Sequence, residues 1–345
     1  MEIRKSRKTR TKSRGGRVAR RVAWAAVFAG VFVFIAGAAP GQEKKEPPPV
    51  TASRSFQLSG YTQFLYAYYD KGIDSFSIPR ARLTLTGNLV KNLRFRIQVD
   101  GVKSPALIDA MLDYQFKPYL GLRVGQYYVP FSLESTTSDS ELDAINRSQV
   151  VNALAPGRDI GAQGRDIGAM LTGKYSILEY YAGVFNGAGI NRLDTNKNKD
   201  VAARVIVRPV KNLAVGGSLY GGRYSSAQGV PAVTRNRAGL EAVLILAGFA
   251  LKSEFISADD AIVSRSGWYL QGTYDFLPKK LQAVARWDTY DADLDITGNR
   301  LDLLLLGGTW FIWERTKLMV NYSVYRGEGR GTTNQSLAVQ FQAAF

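Results

Sequence analysis

Arg80 and Arg82 stand two residues apart, and Arg94 and Arg96 repeat the spacing, each pair inside a run that alternates apolar and polar side chains. A guanidinium is planar, offers its donors as a fork and stays charged at any physiological pH, so arginines gathered on one surface suit phosphate or carboxylate groups. The same alternation puts Arg123, Lys174, Arg204, Arg208, Arg237, Lys252 and Arg286 on the polar side of later runs. With them go the acids Asp100, Asp109, Asp113, Asp166, Glu179, Glu241, Glu254, Asp275, Asp288 and Asp302. The chemistry on offer is reversible attraction of anions. Covalent chemistry finds little support, because the 345 residues include neither Cys nor His. That removes thiolate and imidazole nucleophile systems, imidazole metal ligands and the commonest general acid or base. Nothing places two acids in a dry cleft for a carboxylate-pair mechanism. The chain is read as a non-enzyme, with no catalytic residue, no metal site and no cofactor.

Strands must position these side chains. Sixteen runs of strand character are spaced along 55–69, 77–90, 93–103, 106–117, 119–129, 165–175, 177–187, 199–209, 211–224, 234–246, 248–258, 264–276, 280–291, 299–313, 315–327 and 334–345. Links after even-numbered runs are tight, such as Lys91-Asn92 and Lys117-Pro118, whereas those after odd-numbered runs are mostly longer and more polar. Sorting of loops by parity, with an even strand count, is the pattern of a transmembrane antiparallel β-barrel. In the second run Ala81, Leu83, Leu85 and Leu89 share one face and Arg80, Arg82, Thr84 and Thr86 the other. A slip of one residue would turn arginines into lipid at roughly 2–4 kcal/mol each near the midplane, so the polar face is assigned to a wet interior. Arg80 and Arg82 are expected to lie beside Arg94 and Arg96 in one cluster. With Lys103 at the border and Asp100 as the inward acid, the wall of the first three strands is expected to be positive.

The formal net charge of +16 is uneven: residues 1–21 hold ten basic side chains against Glu2. An apolar run from Val22 to Ala38 follows, ending in small residues, and the whole of 1–39 reads as a secretory signal peptide. The rival is an amino-terminal anchor, since the run is at the lower edge of spanning length. Residues 40–54, with Pro47-Pro48-Pro49, read as a stiff periplasmic linker, and 55–345 as the barrel. Because much of the positive charge sits in the leader, no nucleic-acid partner is expected. At the other end, Leu337, Val339, Phe341, Ala343 and Phe345 share an apolar face. Phe345, with Phe341, resembles the terminal signal read by the barrel assembly machinery. Tyr66, Tyr68, Tyr114, Trp268, Tyr274, Trp287, Tyr322 and Tyr325 sit near strand ends, as in the interfacial girdles that meet outer-membrane lipid.

One connection stands apart. Between the fifth and sixth runs, residues 130–164 show no clear period apart from a faint helical one near 140–151. A loop this long inside a compact domain is normally functional. It carries Glu134, Asp139, Glu141, Asp143 and Asp159 against Arg147 and Arg158, with no lysine. It also holds Gly157-Arg158-Asp159-Ile160-Gly161-Ala162, nearly repeated as Gly164-Arg165-Asp166-Ile167-Gly168-Ala169. The offset of seven is odd, so both copies cannot show the same face of one strand. The second is taken as a strand start and the first as loop.

The pieces Arg123-Val124-Gly125-Gln126, Val129-Pro130-Phe131-Ser132-Leu133-Glu134, Arg147-Ser148, Ala155-Pro156-Gly157-Arg158-Asp159-Ile160-Gly161 and Gly183-Val184-Phe185-Asn186-Gly187 resemble, in order and spacing, the phosphate-selective porin O and P family of bacterial outer membranes. The resemblance implies a sixteen-stranded water-filled barrel, usually a homotrimer, that passes anions through an arginine-lined pore. On that reading Arg80, Arg82, Arg94, Arg96, Arg123, Arg204, Arg208 and Arg286 line the anion pathway. Glu134, Asp139, Glu141, Asp143, Arg147 and Arg158 belong to the constriction loop. The expected solutes are small anions, with phosphate or polyphosphate as the family's substrate, and the expected location is the outer membrane of a diderm bacterium. The acidic loop departs from a phosphate-selective pattern. It leaves open a general, weakly selective porin, or a structural or adhesive barrel.

Overall fold

The computed structural model describes residues 55–328 and 333–345. The signal-peptide and linker readings fall on 1–54 and lie outside the described residues. The strands are β1 (Ser55–Tyr69), β2 (Ser75–Val90), β3 (Leu93–Asp100), β4 (Leu107–Lys117), β5 (Leu120–Tyr128), β6 (Arg165–Tyr175), β7 (Leu178–Phe185) and β8 (Asp200–Val210). They continue with β9 (Leu213–Tyr224), β10 (Val233–Leu246), β11 (Phe249–Asp260), β12 (Val263–Leu277), β13 (Leu281–Asp291), β14 (Arg300–Trp313), β15 (Thr316–Gly327) and β16 (Thr333–Ala344). Each pairs antiparallel with its sequence neighbour, and β16 pairs with β1, so the sheet closes with no free edge. The largest departure from the expected runs is β3, which stops at Asp100 rather than 103.

The alternation has the expected sense. On β2, Leu83 and Leu85 are 48% and 37% exposed, while Arg82 and Thr84 are 2% and 7%. Apolar side chains face outward and polar ones inward, the reverse of a soluble domain. Among the aromatic residues near strand ends, Tyr68, Tyr114, Trp268, Tyr274, Trp287 and Tyr322 are exposed. Tyr325 instead shares the inward face with Asn321 and Ser323 and lines an internal cavity, because it has the same parity on β15.

Register corrects one expectation. The tight Lys91-Asn92 turn pairs Asn88 with Arg94, Thr86 with Arg96, and Arg82 with Asp100. The two arginine pairs therefore lie at different heights on the wall and form no single cluster. Arg80 and Arg82 sit towards the long-loop end of the barrel, and Arg94 and Arg96 follow directly on the short turn.

The connection between β5 and β6 folds into α1 (Leu133–Thr136), a 3-10 turn (Asp139–Glu141) and α2 (Gln149–Leu154). The faint helical period near 140–151 thus belongs to a shorter helix placed later. The first copy of the repeated glycine-arginine motif is loop, and the second opens β6 at Arg165, as expected. At the base of the loop, Val129 N donates to Gly164 O at 2.9 Å.

The loop carries the hydrophobic core of the molecule into the barrel. Phe131, Val150, Val151 and Leu154 cluster with Met170, Phe185, Tyr220, Ile256 and Tyr269 of the inner wall. Two glycines permit the approach: a Cβ at Gly239 would lie 3.2 Å from the Phe131 ring, and one at Gly267 2.9 Å from Val150. One sector of the interior, from β6 to β12, is therefore dry packing.

Candidate functional site

The loop crosses the barrel and is fastened on all sides by inward side chains. As it leaves the wall, Ser132 adopts φ 70°, a left-handed conformation that costs a non-glycine residue energy. Three hydrogen bonds hold it there: Ser135 N donates to its hydroxyl, and Glu254 of β11 accepts from Leu133 N at 2.8 Å and Glu134 N at 2.7 Å. Across the barrel, Lys317 donates to Leu142 O at 2.9 Å, Asn321 accepts from Ile145 N at 2.7 Å, and Asp288 accepts from Gln149 N at 2.6 Å.

The five loop acids meet bases. Asp139 takes Arg80 at 3.0 Å, Arg82 at 2.6 Å, and Arg147 from the loop itself. Glu134 takes Arg286 at 3.2 Å, Asp143 takes Lys252 at 2.6 Å, and Glu141 takes Arg315 at 3.6 Å. Asp159 is held by Arg237 at 3.0 Å and by Arg235. Arg82 is the densest node: it also meets Asp100 at 2.9 Å, the Tyr61 hydroxyl at 3.0 Å and Gln163 at 2.7 Å. Burial alone would raise the Asp139 carboxyl, but Arg80, Arg147 and Arg82 outweigh it and hold the group well below the usual carboxylate range. Arg158 donates to Ser135 Oγ at 2.9 Å and Ser135 O at 2.6 Å. Burial, with Arg147 beside it, pushes this guanidinium down to about 9.

The expected positive wall of the first three strands is thus largely neutralised. Arg80 and Arg82 are spent on Asp139 and Asp100, and Arg96 pairs with Asp109 at 3.0 Å. Arg94 is exposed and has no ion pair among the described residues. Of the other candidates, Arg123 pairs with Asp113, Arg204 with Glu241 and Arg208 with Glu179, at 2.5, 2.6 and 2.5 Å. Arg82 and Arg286 are buried. The sequence reading missed several anchors: Arg235, which has the same odd parity as Arg237, Arg165, which is fully buried against Asp109 at 2.6 Å, and Lys317 and Arg315, which hold Leu142 O and Glu141 of the loop.

Open space survives on both sides of the loop. Towards the short turns lie a cavity of 570 Å³ and one of 390 Å³, which share Arg123, Tyr128 and Thr136 in their walls. Together they are lined by Arg96, Arg123, Arg204, Arg208, Lys211, Lys252 and Arg315 against Asp109, Glu141, Glu179 and Glu241. Towards the long loops a cavity of 230 Å³ is lined by Arg147 and Arg286 and by no carboxylate. Such a lining can attract and pass small anions, because a low-dielectric wall focuses the field of its fixed charges.

Comparison with known proteins bears out the resemblance over half of the barrel. Residues 58–229 match the family described as phosphate-selective porin O and P. No curated protein matches. Among solved structures, the anion-selective porin from Comamonas acidovorans is 16% identical with a TM-score of 0.66, covering 85% of this chain and 100% of that one. The outer membrane channel DcaP of Acinetobacter baumannii is 13% identical, with a TM-score of 0.63 over 85% of this chain and 97% of that one. The trimer form of in-vitro folded OmpT from Vibrio cholerae is 11% identical, with a TM-score of 0.59 over 84% and 100%. The chain has the sixteen-stranded porin fold.

Proposed function

We propose that this chain is an outer-membrane porin of a diderm bacterium that lets small anions diffuse through a barrel narrowed by the 129–164 loop. The observation that carries the reading is the excess of bases in the cavities on the short-turn side, seven against four acids. Arg96, Arg123, Arg208 and Lys211 supply the field there, while Arg80, Arg82, Arg147 and Arg286 hold the loop that sets the width. The family match and the anion-selective porin of similar fold support the same reading. Three copies per assembly are proposed, in line with the trimer form of the Vibrio protein. Phe345 and Phe341 are proposed as the signal read during membrane assembly.

Because the loop acids cancel much of the mid-barrel charge, the preference for anions is expected to be modest and to weaken as salt shortens the Debye length from about 10 Å at 0.1 M. Phosphate or polyphosphate is the solute that the family's description implies. The test is planar-bilayer recording under a potassium chloride gradient, with phosphate added against a chloride current. A reversal potential of the anion-selective sign is expected, and a neutral or cation-selective one would overturn the proposal.

A further inference from the structure

The inner wall is not uniformly polar where it meets water. On β8 and β10 the inward positions run Arg204, Ile206, Arg208 and Glu241, Val243, Ile245, so aliphatic side chains sit where a wet lumen would favour polar ones. Ile206, Val243, Ile245 and Leu213 all line the 570 Å³ cavity, joined by Leu133 from the loop. Ile245 is 52% exposed and Val243 half-buried, so these two are wetted, whereas Ile206, at 6%, is buried. The neighbouring 390 Å³ cavity has no Leu, Ile or Val in its lining. On the short-turn side the aliphatic surface is therefore confined to this cavity.

Its rim is cationic. Arg208 meets Glu179 but keeps 43% of its side chain exposed, and Lys211 has no ion pair among the described residues. A hydrated inorganic anion would use these charges and leave Val243 and Ile245 in contact with water. An anion carrying an apolar body would use both, and the cavity lies within the size range of small-molecule sites, about 300–1,000 Å³. We infer that this cavity is a binding subsite for amphipathic organic monocarboxylates, with an aryl or short alkyl body against Ile206, Val243 and Ile245 and the carboxylate at Arg208 and Lys211. The inference rests on the reading of the chain as an anion pore and names the class of anion that it holds best.

Isothermal titration of the purified full chain in detergent, corrected by a protein-free detergent blank, would compare 3-phenylpropionate, acetate, inorganic phosphate and 3-phenylpropanol. Burying the apolar body should make 3-phenylpropionate at least about tenfold tighter than acetate, with phosphate and phenylpropanol also weaker. Val243→Ser with Ile245→Ser should abolish the gap over acetate. Arg208→Ala with Lys211→Ala should weaken 3-phenylpropionate and leave phenylpropanol unchanged. Heat-modifiable migration on gels checks that each variant forms a barrel, and Ile245→Ser alone serves if the double variant does not. Equal binding of acetate and 3-phenylpropionate, tighter binding of phosphate, binding of none of the four, or a gap that survives in the serine variants would overturn the inference. The bilayer reversal potential of the same preparation separates the two readings. Anion selectivity without the gap removes only the subsite, and the gap without anion selectivity removes only the pore reading.

Discussion

Where the loop meets the wall, Arg82, Arg165 and Arg286 have side chains no more than 1% exposed, each within reach of a carboxylate. Nearer the short turns, Arg96, Arg123 and Arg208 keep 30%, 26% and 43% of their side chains open although each also has an acidic partner. The residue type and the acidic partner are alike; the difference is the loop, which reaches the first group and stops short of the second. A buried guanidinium has lost its water and depends on its carboxylate, so it acts as a fastener. An open one is only partly screened and still acts on a passing ion. Arginine content alone therefore says little about selectivity in such a barrel.

The sharpest way to break the comparison is Arg82→Ala. It leaves Asp100 and Asp139 buried without their shared partner, and removing one side of a buried pair costs about 3–5 kcal/mol. Part of the loop should come free, seen as larger, noisier single-channel steps and faster proteolysis within 137–147. Phe131→Ala acts on the other fastening, the dry core, and truncating a buried aromatic costs about 3–5 kcal/mol, less where the site collapses. It should also raise conductance, without changing the sign of selectivity. Arg123→Ala with Arg208→Ala should do the converse: exposed pairs contribute only about 0–1 kcal/mol, so stability should hold while the reversal potential moves towards zero. An unchanged reversal potential would show that the open group does not set selectivity.

The smallest effects come from pH. The Asp139 carboxyl lies below its unfolded value, so its contribution is complete above about pH 4 and fades only as pH falls through the depressed folded value. Loop-dependent conductance should be flat from pH 7 down to about 5. Arg158 has the opposite sense: its folded value of about 9 lies below the unfolded one, so the folded state gains relative stability as pH rises past 9. Anion preference should stay unchanged over the same range, because Arg158 holds Ser135 of the loop and lines none of the three cavities. A titration in chloride gradients from pH 8 to 10 checks it.

The barrel was legible because its constraints are local. Alternation on β2 needs only residues 81–89, and a tight turn such as Lys91-Asn92 fixes the pairing of the strands it joins. That turn also contained the correction to the arginine cluster, since counting outward from it brings Arg82 opposite Asp100 rather than opposite another arginine. The interior of the loop was not legible, because its partners are scattered: Asp139 meets Arg82, 57 residues away, and Glu134 meets Arg286, 152 away. A signal did exist for the dry sector. Met170, Tyr220, Ile256 and Tyr269 are apolar at positions whose parity points inward, which is inconsistent with a wholly wet lumen and marks where something packs.

The seam between β1 and β16 has a kinetic consequence. Every other strand pairing joins sequence neighbours, whereas Gln63 and Gln342 across the seam are 279 residues apart. A meander of fifteen neighbouring pairings can grow in steps, but this last one must wait until β16 is in place. Until then both outer strands offer unpaired backbone donors and acceptors, the kind of edge that recruits other chains. Gly60 and Phe345 exchange two backbone hydrogen bonds, Gly60 N to Phe345 O at 3.1 Å and Phe345 N to Gly60 O at 3.0 Å. The slow, concentration-sensitive step of maturation is therefore placed at that seam, and a variant that weakens it should accumulate as an open, aggregation-prone sheet whose hairpins are already formed.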